Sequence, residues 1–448
     1  MYPDNLDSAL VTDLYELTMA QSYWQHDMHA LATFSLYLRD HPERGYYVAA
    51  GLEPALEFLE GFQFHGGDIA YLARTGKFDQ AFLDYLGSLR FTGEVRALAE
   101  GTPFFADEPI LEVTAPVIQA QLLETFLINT IGLHTLLATK AARCVYAARG
   151  RSLVDFGLRR TQGIHAGMAL ARSTYLAGFD ATSNVLAARQ FNIPPAGTMA
   201  HSFIQAFGDE IEAFEAYART YPQSTILLID TYDTLQGARN AVQVARKMAA
   251  AGHDLVGVRL DSGDMIGLSR EVRRILDAAG MQKVKIFASG GFDEYGVAEA
   301  QRKGAAIDAF GIGTKAGVSA DLPYLDMVYK LVRYDMRDVH KLSPGKKTLA
   351  GEKQVFRRTD AKGAYVEDII GVRGEVIDGA DPLLDAVMRG GRILGSMPAL
   401  DQIRQGFAGR FKKLPDACKH LSRPARYPVR LSPKLAALQE KLKGGQYA

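Results

Sequence analysis

The sequence predicts an α/β chain: an irregular βα barrel preceded by an N-terminal α+β domain and followed by a strand-rich C-terminal region. Two observations carry the barrel. Between Asp155 and Thr314, apolar runs of strand length recur roughly every 20–30 residues, the size of one βα unit. Each run ends in a short, glycine-edged polar cluster, and most clusters open an amphipathic helical stretch. A third observation sets the flanks. Strict alternation at Thr33–Leu38 lies before this region, and after Asp321 the pattern becomes loop-rich and antiparallel in character.

Residues 1–120 form the expected N-terminal domain. Ser8–Asp27 reads as a helix, with Leu10, Leu14 and Leu17 near one face. Along Thr33–Leu38, Phe34, Leu36 and Leu38 share one side and Thr33, Ser35 and Tyr37 the other, the pattern of a half-buried strand. Helices around Glu53–Gly61 and Asp79–Leu89 and strands at Gly93–Ala99 and Pro109–Val113 complete it. The apolar stretch Val117–Ala142 is interrupted by Gln119, Gln121, Glu124, Asn129 and His134. It therefore reads as a buried helix pair rather than a membrane span.

The catalytic barrel is expected over 121–322. Its strands are predicted at Ser152–Asp155, Phe179–Ala181, Ala196–Met199, Thr225–Ile229, Leu255–Leu260, Val284–Ala288 and Ala306–Phe310. That is about seven, one short of the eightfold ring usual for the fold. Helices at Gly163–Leu176, Ser183–Arg189, Asp209–Thr220, Thr234–Ala251, Ile266–Ala279 and Asp293–Lys303 alternate with them. Region 323–448 is expected to pack on the N-terminal domain. It has strands at Met327–Arg333, Val339–Leu342, Val366–Gly374 and Gly390–Ile393, a turn at Asp360–Gly363, and helices at Ala399–Phe407 and Ser432–Lys443.

Composition narrows the function. Lysine plus arginine and aspartate plus glutamate are both 51, so the formal charge is zero. A strongly basic nucleic-acid surface is thereby excluded, though a local basic pocket is not. Cys144 and Cys418 are the only cysteines and lack metal-ligand spacing. A reduced, cytoplasmic protein follows. Asp4, Asp7 and Asp13 occupy the N-terminus without a basic, then apolar, leader, so no secretory signal is expected.

In a βα barrel the carboxyl ends of all strands meet at one rim, so the polar clusters converge on one pocket. Ser289-Gly290-Gly291 and Gly311-Ile312-Gly313-Thr314 offer amides and hydroxyls to phosphate; the plainer use of such glycines is to permit tight turns. Arg159 and Arg160 suit a pyrophosphate, unless one pairs with Asp155. Arg259 and Asp261 point the same way by strand alternation. An inward arginine calls for an anion, either a substrate or Asp261 itself, and Asp261 is a candidate magnesium ligand. His201 follows Gly197-Thr198-Met199-Ala200, and either Asp230 or Asp233 is placed to hold its tautomer. Such a histidine suits accepting a proton or a phosphoryl group. Lys315 is a weaker candidate for a Schiff-base amine.

These segments resemble nicotinate phosphoribosyltransferase, of the large, barrel-containing phosphoribosyltransferase class. The resemblance is carried by Thr12–Ala20, Asp155-Phe156-Gly157-Leu158-Arg159-Arg160-Thr161-Gln162-Gly163, Phe179–Ala187, Gly197–Ser202, Val258–Asp264, Phe310–Thr314 and Val328–Val332, with Gly351–Arg358 beyond. It implies transfer of phosphoribosyl from phosphoribosyl pyrophosphate to nicotinate with coupled ATP hydrolysis and magnesium, in a cytoplasmic homodimer with shared active sites. It further implies that His201 is the phosphorylated histidine with Asp230 orienting it. Tyr15 of a neighbouring subunit would stack on the pyridine opposite Phe156. Arg159 and Arg259 would meet the pyrophosphate and the nicotinate carboxylate, and Ser289, Gly290, Gly313 and Thr314 the 5′-phosphate. Ser183, in the Phe179–Ala187 segment, joins the substrate-binding set. Asp155 stands where glutamate is common and is given no direct catalytic role. The alternatives are a nicotinamide-specific or quinolinate-specific enzyme of the same fold, and a barrel lyase acting through Lys315.

Overall fold

A computed structural model describes residues 8–341 and 348–445, so the expected strand Val339–Leu342 lies partly outside the described residues, at Leu342. The chain forms two compact units. One combines the chain up to Leu136 with the chain from Tyr324 onward, and the other is Leu137–Pro323.

The first unit is built on a seven-stranded sheet with Leu31–Leu38 near its centre. This strand pairs antiparallel with Leu111–Pro116 on one side and Met327–Tyr334 on the other. Arg337–Asp338 is the short strand that follows, and Val339–Lys341 is not in a strand. A second, four-stranded sheet includes Lys353–Thr359 and Tyr365–Val372. A helix at Gly66–Arg74, opened by two glycines, was not among the expected elements.

Leu31–Leu38 corrects the half-buried expectation: every residue from Ala32 to Leu38 is buried. Its polar side faces protein instead of water. Ser35 donates to Glu112 at 2.5 Å, and Thr33 bonds Thr114 at 2.9 Å and Glu352 at 3.0 Å. Glu112 is fully buried and meets Lys353 Nζ at 3.2 Å and Arg373 Nη2 at 2.9 Å. Burial pushes the Glu112 carboxyl up, but the two cations outweigh it and hold the group below the ordinary glutamate value. Alternation in sequence thus reflected two different buried faces, one apolar and one ionic.

The second unit carries six parallel strands: β1 (Ser152–Asp155), β2 (Ala181–Thr182), β3 (Ile226–Leu228), β4 (Gly257–Leu260), β5 (Lys285–Ala288) and β6 (Ala309–Ile312). They lie in the order β2-β1-β6-β5-β4-β3, every neighbour parallel. The expected strand at Ala196–Met199 does not form. Only Pro195 bridges, to Thr182. Pro194 and Pro195 lack amide donors, so this segment cannot sustain a ladder. The barrel is irregular for that reason.

Helices follow the strands as the periodicity predicts, including Ile164–Leu176, Thr234–Ala250, Met265–Ala278 and Glu294–Arg302. Several rim acids start these helices. Asp233 accepts from the Gln236 amide, Asp264 from Ile266 and Asp293 from Gly296. Each such cap is worth about 1 kcal/mol.

Replacing Glu112 with alanine leaves Lys353 buried beside Arg373 without its anion. Loss of one partner of a buried ion pair costs about 3–5 kcal/mol. Denaturant titration of Glu112→Ala is expected to show a loss of that size, and a loss below about 1 kcal/mol, the scale of an exposed pair, contradicts the ionic account of this face.

Candidate active site

Arg259 is the third residue of β4, and alternation aims it along the same side as Asp261. The structure joins them directly: Arg259 Nη2 lies 2.8 Å from Asp261 Oδ1. Its other nitrogens are also engaged. Nε donates to Ser289 Oγ at 2.9 Å, and Nη1 donates to Thr198 Oγ1 at 2.9 Å and to the Met199 carbonyl at 3.3 Å. Thr198 thereby enters the site, a residue that sequence reasoning quoted within a motif but gave no role.

The guanidinium sits over the Phe156 ring, 5.4 Å from its centroid, within cation–π range. Gly311 on β6 makes room for that ring, because a Cβ there would lie 2.5 Å from two ring carbons. Phe156, Arg259, Ser289, Thr198 and Gly311 line a cavity of about 490 Å³. That volume suits a small ligand.

Ser289 Oγ also donates to Asp261 Oδ1 in a very short bond. Burial pushes the Asp261 carboxyl up, yet Ser289 and Arg259 together hold it below the ordinary aspartate value. Asp261 is therefore an anion at neutral pH. Behind it, Gly290 has φ of +97°, and a Cβ at that position would lie 2.2 Å from the Asp261 carbonyl oxygen. Glycine alone fits there.

His201 opens a short helix, His201–Phe207. Its Nδ1 lies 3.1 Å from Thr231 Oγ1, and its Nε2 lies 3.9 Å from Asp261 Oδ2. Asp230 was expected to orient this ring and is engaged elsewhere. Its Oδ2 accepts from the Asp261 amide at 2.7 Å and from Ser262 Oγ at 2.8 Å, so Asp230 fixes the Asp261 turn. Its Oδ1 is buried without a hydrogen-bond partner. Asp233 is a helix cap. Thr231 is the residue sequence reasoning missed, although it stands between those two acids.

Arg159 and Arg160 end a 3₁₀ turn and are exposed. Neither pairs with Asp155, whose oxygens accept from the Gly157 amide at 2.8 Å and the Thr182 hydroxyl at 2.7 Å. Asp155 is about 1% exposed, and burial pushes its carboxyl up to about 6. Ser183 is partly buried, and its amide donates to the Asp155 carbonyl. Gly313 and Thr314 follow β6 on the same rim. Lys315 Nζ lies 3.2 Å from Asp293, so it is paired with the cap of the preceding loop.

Tyr15 belongs to the other unit, in the first turn of the helix Leu14–Gln25, with its ring about half exposed. Burial and then Glu124 push its hydroxyl pKa up, so it stays neutral. Among the described residues no cluster of three or more histidine, cysteine or acidic side chains is disposed to hold a metal ion, and no helix is long and apolar enough to cross a membrane.

Three family models cover this chain. The N-terminal domain of nicotinate phosphoribosyltransferase matches residues 10–132, the nicotinate phosphoribosyltransferase family model 151–332, and the C-terminal domain 378–439. A nicotinate phosphoribosyltransferase of Mycobacterium tuberculosis is 48% identical over 430 residues, spanning 95% of this chain and 92% of the relative. The Bacillus subtilis enzyme of that name is 38% identical, over 95% and 93%. The chain belongs to the nicotinate phosphoribosyltransferase family. The crystal structure of human nicotinic acid phosphoribosyltransferase superimposes with a TM-score of 0.86 at 30% identity, covering 96% of this chain and 99% of that one. The family assignment agrees with the expected fold class and with the resemblance read from the rim motifs.

Asp155 also gives the site a pH signature. Its folded pKa of about 6 lies above the ordinary 3.8, so the folded state holds this proton more tightly than the unfolded chain. The stability it contributes is present below about pH 4 and is lost as pH rises through about 6, by about 3 kcal/mol. Comparing the unfolding free energy of wild type and Asp155→Asn from pH 4 to 7 should show wild type losing ground to the variant by that order. A flat difference would contradict the buried, uncompensated carboxylate.

Proposed function

We propose that this chain joins nicotinate to 5-phosphoribosyl 1-pyrophosphate, releasing pyrophosphate and forming nicotinate mononucleotide for NAD biosynthesis, with ATP hydrolysis coupled to the step. The observation that carries this reading is the Arg259 guanidinium, oriented by Ser289, Thr198 and Asp261 and laid against the Phe156 ring at the mouth of the cavity. That arrangement offers a planar platform for an aromatic ring and a fixed cation for an anionic group.

In the reaction the pyridine nitrogen forms a bond to the ribose C1 as the bond to the pyrophosphate oxygen breaks. Negative charge grows on the leaving group, and preorganised cations in a dry pocket stabilise it most effectively. Arg259 and the exposed, unpaired Arg159 supply such charge from the protein. The turn amides and hydroxyls of Ser289, Gly290, Gly313 and Thr314 suit the 5′-phosphate. Magnesium commonly uses one or two carboxylates together with substrate phosphates, and Asp261 Oδ2 lies outside the bonds to Arg259 and Ser289, so the residues fit it. A bound magnesium ion would neutralise leaving-group charge. Ser183 borders the loop that carries Phe156.

His201 is the residue for ATP coupling. One ring nitrogen attacks the γ-phosphorus, a P–N bond forms as the bond to ADP breaks, and water later cleaves the phosphohistidine. Thr231 and Asp261 are the groups that orient the ring for this, and Asp230 acts through Asp261. Tyr15 of a second copy closes the pyridine site opposite Phe156 in a cytoplasmic homodimer. The lyase alternative is disfavoured because Lys315 is paired with Asp293. A nicotinamide-specific enzyme has no anionic ring substituent to place against Arg259.

Initial rates measured with nicotinate, phosphoribosyl pyrophosphate, magnesium and ATP test this reading, with nicotinamide as competitor. Arg259→Ala is expected to lose about 100- to 1000-fold in rate, the usual effect of removing one preorganised donor, with its circular dichroism unchanged. Near-wild-type turnover in that variant contradicts the assignment. In a separate experiment, γ-labelled ATP should leave acid-labile, base-stable label on wild type and none on His201→Ala, which should also lose the coupling between ATP hydrolysis and synthesis. Label on another residue would remove His201 from this role.

A further inference from the structure

Asp155 is the buried acid of the rim that the mechanism does not use. It ends β1, and its three acceptor groups reach the loop after β1, the end of β2 and the loop after β2. Oδ1 accepts from the Gly157 amide, Oδ2 from Thr182 Oγ1, and its carbonyl from the Ser183 amide at 2.8 Å. Thr182 continues the chain of bonds. Its hydroxyl accepts from the Asn184 amide at 3.0 Å, and Asn184, itself buried, caps Val185–Phe191 and donates to the Gly167 carbonyl at 3.3 Å. The loop after β1 and the end of β2 are thus tied through one carboxylate.

Between its two bonded neighbours in that first loop lies Phe156. The residue before it and the residue after it are both fixed, because Asp155 bonds Gly157 across it. Gly157 has no room for a side chain: a Cβ there would meet Leu170 at 2.2 Å and Asp155 Oδ1 at 3.1 Å. The ring then rests over the bare backbone of Gly311, under Arg259.

The tie has an energetic signature. The groups bonded to this carboxylate are neutral, and its burial works against the charged form. Other rim acids stabilise the fold as helix caps, whereas a neutral side chain here would serve stability better than an uncompensated carboxylate. We propose that Asp155 is a positioning residue, which through Gly157 and Thr182 sets the height and tilt of the Phe156 ring and so the affinity for the pyridine substrate. This rests on the reading of Phe156 as the pyridine platform.

The test is steady-state kinetics on the full-length protein at saturating phosphoribosyl pyrophosphate and ATP, varying nicotinate. Asp155→Asn and Thr182→Val each remove the charged hydrogen bond and should raise KM for nicotinate by about 10-fold, with kcat changed less than about two-fold. The double variant should be no worse than the poorer single one, since both act through one contact. Thr182→Ser keeps the hydroxyl and should restore KM to near wild type, which loss of general packing would not predict. Phe156→Ala separates the two readings. If it raises KM while Asp155→Asn and Thr182→Val leave KM within two-fold of wild type, Asp155 has no positioning role. A normal KM in Phe156→Ala would instead remove the platform itself. Should Asp155→Asn fail to fold, Thr182→Val against Thr182→Ser decides the matter: equal KM values overturn the proposal.

Discussion

The site depends on how the protein accommodates a guanidinium inside the mouth of a βα barrel. A charge removed from water there must be met by acceptors, or the fold loses several kcal/mol. Arg259 is met on every nitrogen by Asp261, Ser289, Thr198 and the Met199 carbonyl. Those partners come from the loop after β4, the loop after β5 and the irregular segment that replaces an expected strand. Satisfying one cation thus draws several chain segments into a fixed geometry. The Phe156 ring and the missing side chain of Gly311 complete it from the β1 and β6 side.

The rim acids divide into two kinds by what they bond. Asp233, Asp264 and Asp293 accept amides at helix starts and belong to the architecture. Asp155, Asp230 and Asp261 bond across loops and belong to the pocket. Both kinds arise from the same local requirement, that a chain leaving a parallel strand must turn and begin a helix. A barrel therefore supplies acids at its rim as a matter of construction, and only their hydrogen-bond partners separate scaffold from chemistry.

Much of this was legible in the residues. The repeat of apolar runs located β1 and β3 to β6 within a few positions, and β-strand alternation alone put Arg259 and Asp261 on one side. Other features depended on long-range contacts that no local pattern carries. Ala196–Met199 looks apolar enough for a strand, but the prolines before it remove the donors. Ser35 looks solvated until Glu112, Lys353 and Arg373 are brought over it from distant parts of the chain. The assignment of Asp230 to the imidazole failed for the same reason: its carboxylate and the Thr231 hydroxyl are neighbours in sequence, and only the turn geometry decides which of them faces His201.

The bonded pair of Arg259 and Asp261 means that, without ligand, the pocket already contains its own counter-ion. An incoming anion must displace a carboxylate that is tethered two residues away at high effective concentration, so it needs a second contact, such as stacking on the Phe156 ring, to enter. A ligand that arrives with a bridging cation escapes this competition, since the cation can take over Asp261 and leave the guanidinium to the newcomer. A small anion without such a second contact meets only a guanidinium that is already paired, so admission is biased toward molecules that bring an aromatic ring or a bridging cation.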